Sequence, residues 1–298
     1  MSSPASPPTV VLPATLDDAL RALERDPALT VLAGGTDLMV AVNYGRLRPT
    51  SVLSLRRVAE LRTWRTLDDG RLWLGAGLTY RRLQDPDLAG PLPALAQAAR
   101  TVGSPQIRNS GTLGGNLGTA SPAGDTLPVL ASLGAEVELA SADGGVRRLP
   151  LVDGDDPFIT GPKRTALRPG ELVAGVIVPT AAGPQEFLKI GTRNAMVISV
   201  ASCALVVDTA ARSLRCTLGS VGPIPMRCPD AEAWIGERLD WPATTGGRPV
   251  LTDPADADGF GERCAAAARP IDDHRSTAAY RRHACAVLAR RALRRAAG

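Results

Sequence analysis

Thr101-Val-Gly-Ser-Pro-Gln-Ile-Arg-Asn-Ser-Gly-Thr112-Leu-Gly-Gly-Asn-Leu-Gly118 is the densest group of conformationally permissive and hydrogen-bonding residues in the chain. Glycines at 111, 114, 115 and 118 permit positive φ and close backbone approach, because no Cβ obstructs either. Thr112, Asn116 and Thr119 add short side-chain donors and acceptors. A loop so equipped suits a phosphate. The next segment, Ala120-Ser-Pro-Ala-Gly-Asp125, sets a carboxylate before the apolar run Thr126–Ala131, where it reads as an acceptor for a ribose hydroxyl. Taken alone, the stretch also reads as a surface loop with ordinary turn glycines.

A second glycine turn lies upstream. Thr30-Val-Leu-Ala33 reads as a short buried strand, Gly34-Gly35-Thr36 as a turn, and Asp37-Leu-Met-Val-Ala-Val42 as a helix start. The first amides of a helix have no internal partner, so they, the two glycines and the Thr36 hydroxyl suit a diphosphate.

Val31-Leu-Ala-Gly-Gly-Thr-Asp-Leu38 followed by Thr112-Leu-Gly-Gly-Asn116 resembles the FAD-binding subunit of the molybdenum hydroxylases. That group includes xanthine dehydrogenase and aerobic carbon monoxide dehydrogenase, and the likeness covers nearly the whole chain. It implies an α+β fold: a two-lobed FAD-binding domain of the PCMH type over residues 1–179, with lobes at 9–56 and 57–179. A smaller α+β domain with an antiparallel sheet and helices follows over 184–298. Carried across residue by residue, the resemblance places Val31, Leu32, Ala33, Gly34, Gly35, Thr36, Asp37 and Leu38 along the diphosphate. Val102, Gly103, Thr112, Gly114, Gly115, Asn116 and Thr119 stand on its other side. Asp125 serves the sugar or a neighbouring hydroxyl, Val173 is an apolar flavin contact, and Lys189 is a basic cofactor contact. The closing block Pro270–Arg282 matches the family in a structural role.

No catalytic side chain is implied. A flavin performs the redox work, and the protein supplies position, dielectric and charge. Accordingly, no Ser/His/Asp or Cys/His constellation stands out. Lys189 or Arg193 near the ring would tune its potential. In relatives, a large subunit carries the molybdenum cofactor, a small one carries iron–sulfur clusters, and FAD passes electrons to NAD or another acceptor. The resemblance therefore implies an iron–sulfur partner and a molybdopterin partner. Asn194-Ala195-Met196 departs from the acidic residues that animal xanthine dehydrogenases carry beside the flavin, which leaves the acceptor open. Two alternatives stand beside this reading: a free-standing FAD dehydrogenase oxidising a small molecule directly, and a non-catalytic scaffold.

Composition agrees with a two-domain globular chain: 298 residues, 44% apolar. No run of eighteen apolar residues occurs, and the amino terminus lacks a basic region followed by an apolar stretch. The expectation is a cytoplasmic protein without membrane insertion. Residues 1–8, rich in Ser and Pro, read as a loose tail. A net charge of +4, with three Phe, three Tyr and four Trp, does not suit nucleic-acid binding.

Cys203, Cys216, Cys228, Cys264 and Cys285 are odd in number and never spaced Cys-x-x-Cys. Local spacing thus indicates no iron–sulfur or zinc site and predicts reduced thiols, with Cys203 and Cys216 in the core. His274 and His283 lack partners at metal spacing and read as surface or capping residues. Lys163 and Lys189 are the only lysines among 34 basic residues. A retained ammonium draws attention because the guanidinium fork does not replace it in tight geometry.

In chain order, Val10–Leu12 reads as a strand and Thr15-Leu-Asp-Asp18 as the cap of a helix over Leu16–Glu24. Strands are expected at Ser51–Leu55, Arg71–Gly77, Ala135–Leu139, Val146–Leu149 and Glu171–Val178. Helices are expected at Tyr80–Gln84, Leu92–Thr101 and Thr126–Leu133. Gly75-Ala-Gly77 lacks the third glycine and long helix of a dinucleotide fingerprint. Beyond a break at Thr180–Pro184 the second part begins with Glu186–Arg193, and Val197–Val207 and Leu214–Val221 are expected as antiparallel neighbouring strands. Helices follow at Ala231–Leu239, Phe260–Ala268 and Ser276–Ala297. The last is expected to cover the sheet with Tyr280, Ala284, Val287, Leu288 and Leu293 while its arginines reach water.

Overall fold

The computed structural model describes residues 8–298, so the tail expected over residues 1–8 lies outside them except for Pro8. The first lobe runs β1 (Thr9–Val11), α1 (Leu16–Arg25), β2 (Thr30–Leu32), α2 (Leu38–Asn43) and β3 (Ser51–Ser54). Its three strands pair in parallel in the order β1-β3-β2. The Thr15 hydroxyl accepts from the Asp18 amide at 3.1 Å, and Ala19, Leu20, Ala22 and Leu23 bury one face of α1. β2 is not the buried strand its composition suggested. It lies at the sheet edge, with Val31 38% exposed.

The second lobe comprises β4 (Trp64–Thr66), β5 (Leu72–Gly75), α3 (Pro86–Ala89), α4 (Pro93–Thr101), α5 (Pro105–Ser110), α6 (Leu113–Thr119) and α7 (Thr126–Leu133). It continues with β6 (Glu136–Ala140), β7 (Val146–Pro150), the ribbon of β8 (Ile159–Gly161) and β9 (Arg164–Thr165), and β10 (Leu172–Val178). Its sheet is antiparallel in the order β4-β5-β10-β6-β7. β10 is central and buried throughout, as its unbroken apolar run requires. The helix expected at Tyr80–Gln84 shortens to a 3-10 turn at Arg82–Gln84, with the Thr79 hydroxyl accepting from the Arg82 amide.

Residues 105–119 are not the open loop that their glycines suggested. Ser104 caps α5, with Pro105 at its first position, and Thr112 caps α6. Both caps satisfy an amide that would otherwise lack a partner. Glycine is a weak helix former, but packing of α6 against β10 and α7 overrides that preference.

The remaining chain forms β11 (Gln185–Ile190), β12 (Ala201–Asp208), β13 (Ser213–Gly219), β14 (Met226–Arg227) and α8 (Pro229–Gly236). It ends with the ribbon of β15 (Leu239–Asp240) and β16 (Val250–Leu251), then α9 (Asp256–Ala267) and α10 (Ala278–Ala296). β11 to β14 pair antiparallel in chain order. Alternate residues of β12 serve two cores: Cys203, Leu205 and Val207 face the cluster under α8, α9 and α10, whereas Ala204 and Val206 join the cluster of the preceding lobe. The Ser132 hydroxyl of α7 meets Thr217 of β13 at 2.8 Å, tying the two parts together.

β12 begins four residues later than expected, because residues 197–200 form a loop beside Lys189 and Arg193. On α10, Ala284, Leu288 and Leu293 are buried as expected, but Tyr280 is 47% exposed. Arg281 also departs from expectation: it is 4% exposed and donates to the carbonyls of Val200 and Ser220 and to Asp273. His274 and His283 are at the surface. No helix among the described residues is long and apolar enough to cross a membrane.

Candidate functional site

The two glycine stretches touch. A Cβ on Gly34 would stand 2.1 Å from the Ser110 carbonyl oxygen and 2.8 Å from the Gly111 Cα, so residue 34 must be glycine for the lobes to meet. The Ser110 hydroxyl donates to the Gly34 carbonyl at 2.6 Å. Gly115 faces Ala33 across the same seam, since a Cβ there would lie 3.8 Å from that of Ala33. Gly35 holds φ +76°, a conformation that glycine adopts without steric cost. Among the described residues, the amides of Gly35, Thr36, Asp37 and Leu38 have no protein acceptor. Four successive donors beside a half-buried, unpaired Thr36 hydroxyl form an anion cradle.

The second stretch has a different role from the first. The Leu113 and Gly114 amides donate to the carbonyls of Leu78 and Ala76, both at 2.8 Å, and the Gly115 amide donates to the Thr112 hydroxyl. Its first-turn amides are therefore already paired. Gly114 is required by close packing, because a Cβ there would lie 2.5 Å from that of Ala76. The Asn116 side-chain Oδ1 accepts from the buried Thr126 hydroxyl at 2.5 Å and braces α6 against α7. Gly103, at φ +44°, passes over Ile107, and its carbonyl, like that of Val102, accepts from Arg108. Thr119 ends α6 without a side-chain hydrogen bond, and Val173 is buried in β10 beside a bulge.

Asp125 and Lys189, 64 residues apart, form a buried ion pair at 2.5 Å. The Lys189 ammonium also donates to the carbonyls of Thr101 at 3.0 Å and Val197 at 3.2 Å, so its three protons all have partners. Asp125 Oδ2 additionally accepts from the Thr101 hydroxyl, while Oδ1 is buried with no hydrogen-bond partner. Burial pushes the Asp125 carboxyl up, and the Lys189 charge pulls against it. Nearby Tyr80, which sequence reasoning passed over, is buried. Burial and then the charges of Asp37 and Asp125 raise its phenol far above the ordinary value, so it stays protonated. Arg193 does not reach toward this group. It donates to the carbonyls of Ala195 and Met196 and holds its own loop, in which Met196 adopts φ +49°.

An orphaned carboxylate oxygen, four free amides and a Cβ-free seam fit a dinucleotide with a diphosphate and hydroxyl or imide donors. Beside it, α4, α5, β11 and the Asn194–Val197 loop enclose a cleft of about 680 Å³. Three cysteines far apart in sequence, Cys216, Cys228 and Cys264, meet in the carboxy-terminal core, which local spacing could not reveal.

Comparison with known proteins defines the class. Residues 6–181 match the family described as the FAD binding domain in molybdopterin dehydrogenase, and residues 186–296 match the CO dehydrogenase flavoprotein C-terminal domain. The chain belongs to this family: it is the medium, FAD-binding subunit of a molybdenum hydroxylase-type oxidoreductase, and its cofactor is FAD. It is 33% identical to the nicotinate dehydrogenase FAD-subunit of Eubacterium barkeri, over 81% of this chain and 84% of that one. It is 30% identical to the glyceraldehyde dehydrogenase medium chain of Sulfolobus acidocaldarius, over 95% and 96%. The reconstituted CO dehydrogenase of Oligotropha carboxidovorans superposes with a TM-score of 0.84 at 25% identity, covering 99% of each chain.

Proposed function

We propose that this chain receives electrons from an iron–sulfur partner subunit and delivers them to NAD or another acceptor, in an assembly whose molybdopterin subunit oxidises the substrate. The domains of that reading are 1–179, which holds the cofactor, and 184–298, which closes over it. Bound FAD supplies the exchange between two-electron and one-electron transfer. The amides of Gly35, Thr36, Asp37 and Leu38 hold the diphosphate, together with the Thr36 hydroxyl. Asp125 Oδ1 accepts from a cofactor hydroxyl or N–H, and Lys189 keeps that carboxylate in place by clamping Thr101 to Val197. Tyr80 supplies a neutral phenol between two carboxylates.

The seam between Gly34 and Ser110 carries this reading, because it brings the free amides of one lobe against the helix cap of the other. The test is affinity purification of the full chain from its own cells, with absorbance spectra before and after NADH. The expected result is one FAD released per chain on denaturation, together with co-purifying iron–sulfur and molybdenum subunits. A colourless protein overturns the proposal. So does a solitary flavoprotein that its own small-molecule substrate bleaches directly.

A further inference from the structure

All five cysteines lie in one hydrophobic core, and four of them bring their sulfurs close together. Cys203 is in β12, Cys216 in β13, Cys228 directly before α8, Cys264 in α9 and Cys285 in α10, and every one is a buried free thiol. The sulfurs of Cys216, Cys228 and Cys264 lie within 4.8 Å of one another, with Cys264 3.8 Å from Cys216. Cys203 stands 3.6 Å from Cys216 on the neighbouring strand.

We propose that Cys216, Cys228 and Cys264 form a thiolate site for a soft d10 metal ion, Zn²⁺ or Cu⁺, within the carboxy-terminal core. Metal–sulfur bonds of about 2.3 Å place the sulfurs around one ion ~3.8 to 4.0 Å apart. The Cys216–Cys264 pair already has that spacing, and the other pairs lie within 4.8 Å. The backbone fixes two of the ligands relative to each other: the Cys228 amide donates to the Cys216 carbonyl at 3.1 Å. Glu232 then orients Cys216, accepting from its amide at 2.7 Å while paired with Arg227. Such an outer shell is what holds metal ligands in place.

Three thiolates satisfy trigonal Cu⁺, and rotation of Cys203 supplies the fourth thiolate that tetrahedral Zn²⁺ requires. As each sulfur–metal bond forms, that thiol releases its proton to solvent, and no electron changes hands. Because the ligands are all but inaccessible, the ion enters as the domain folds, and its binding energy is then part of folding.

The test uses the full FAD-containing chain purified from zinc-supplemented and from copper-supplemented cells. Metal content is measured after dialysis against EDTA, and X-ray absorption reports the shell around the ion. The expected result is about one ion per chain in an all-sulfur shell at about 2.3 Å. Four scatterers identify zinc and three identify copper. Cys216→Ala and Cys264→Ala should each lower metal content at least about tenfold, with flavin content unchanged. A metal-free wild-type protein from both cultures overturns the proposal, even if the variants fail to fold. Metal retained in Cys216→Ala, or a Cys203–Cys216 disulfide found by mass spectrometry of alkylated protein, also overturns it.

Discussion

Gly34 and Ser110, 76 residues apart, meet backbone to backbone, with the Ser110 hydroxyl donating to the Gly34 carbonyl at 2.6 Å and no space for a Cβ between them. Gly34→Ala drives a methyl into a carbonyl that belongs to another lobe. Either the seam opens or the strain remains, at a cost of about 3 kcal/mol. We expect a large loss of bound FAD and a lowered denaturation midpoint, read by flavin-to-protein ratio and urea titration. Gly118→Ala is the matched control. It lies in α6 with nothing within 4 Å, so a Cβ there should be neutral or add up to about 1 kcal/mol.

The Lys189–Asp125 pair makes a pH-dependent prediction. Removing one member of a buried pair typically costs about 3 to 5 kcal/mol, because the other charge is left uncompensated. Burial already raises the Asp125 carboxyl above its ordinary value of 3.8. A carboxyl raised in the folded state adds stability below its unfolded value, and that contribution disappears as pH rises through the folded value. Lys189→Met removes the opposing charge and moves the folded value further up. The variant should therefore be most destabilised at alkaline pH and recover toward wild type on acidification. Urea titrations at pH 5 and pH 8 measure this, and a pH-independent deficit would rule it out.

Asn116 is expected to act as a brace whose cost of disruption is local. Thr126→Val keeps the volume near constant but leaves the Asn116 side-chain Oδ1 buried without its 2.5 Å donor. An unsatisfied buried acceptor costs about 1 to 3 kcal/mol. Stability should fall by that amount while the protein still carries FAD.

Local rules made much of this molecule legible. Thr15 and its helix, the run Thr126–Leu133, the apolar strand β10 and the antiparallel β12–β13 pair all follow from capping or periodicity within a dozen residues. The two glycine turns stood out as candidate sites because glycine and short polar residues concentrate there. What those glycines do was not. Gly34 and Gly114 are demanded by Ser110 and Ala76, residues on other elements, so their need for a missing Cβ has no local signature. The helical state of Leu113–Thr119 was hidden for the same reason, as packing overrode a poor intrinsic preference. The partner of Lys189 and the convergence of the cysteines depend on closure of the whole chain and leave no trace in spacing.

Arg281 should control the acid stability of the carboxy-terminal domain. Its guanidinium bridges the carbonyls of Val200 and Ser220, which flank the open end of the β12–β13 hairpin, and pairs with Asp273 at 2.7 Å. Burial opposes ionisation of Asp273, but the amides of Arg275 and Ser276 and the Arg281 charge hold its carboxyl well below 3.8. A carboxyl depressed in the folded state contributes stability above its unfolded value, and loses it as pH falls toward the folded one. Asp273→Asn should thus lower stability at neutral pH, by less than the loss of a fully buried pair, because Asp273 itself lies at the surface while Arg281 is buried. Its deficit should begin to shrink only as pH falls below about 4, and close as pH approaches the depressed folded value. Arg281→Met removes the same pairing along with two carbonyl contacts, so it should lose more at neutral pH and show the same flattened acid limb. Denaturation midpoints between pH 3 and pH 7 distinguish this from a packing defect, which would shift both proteins equally at every pH.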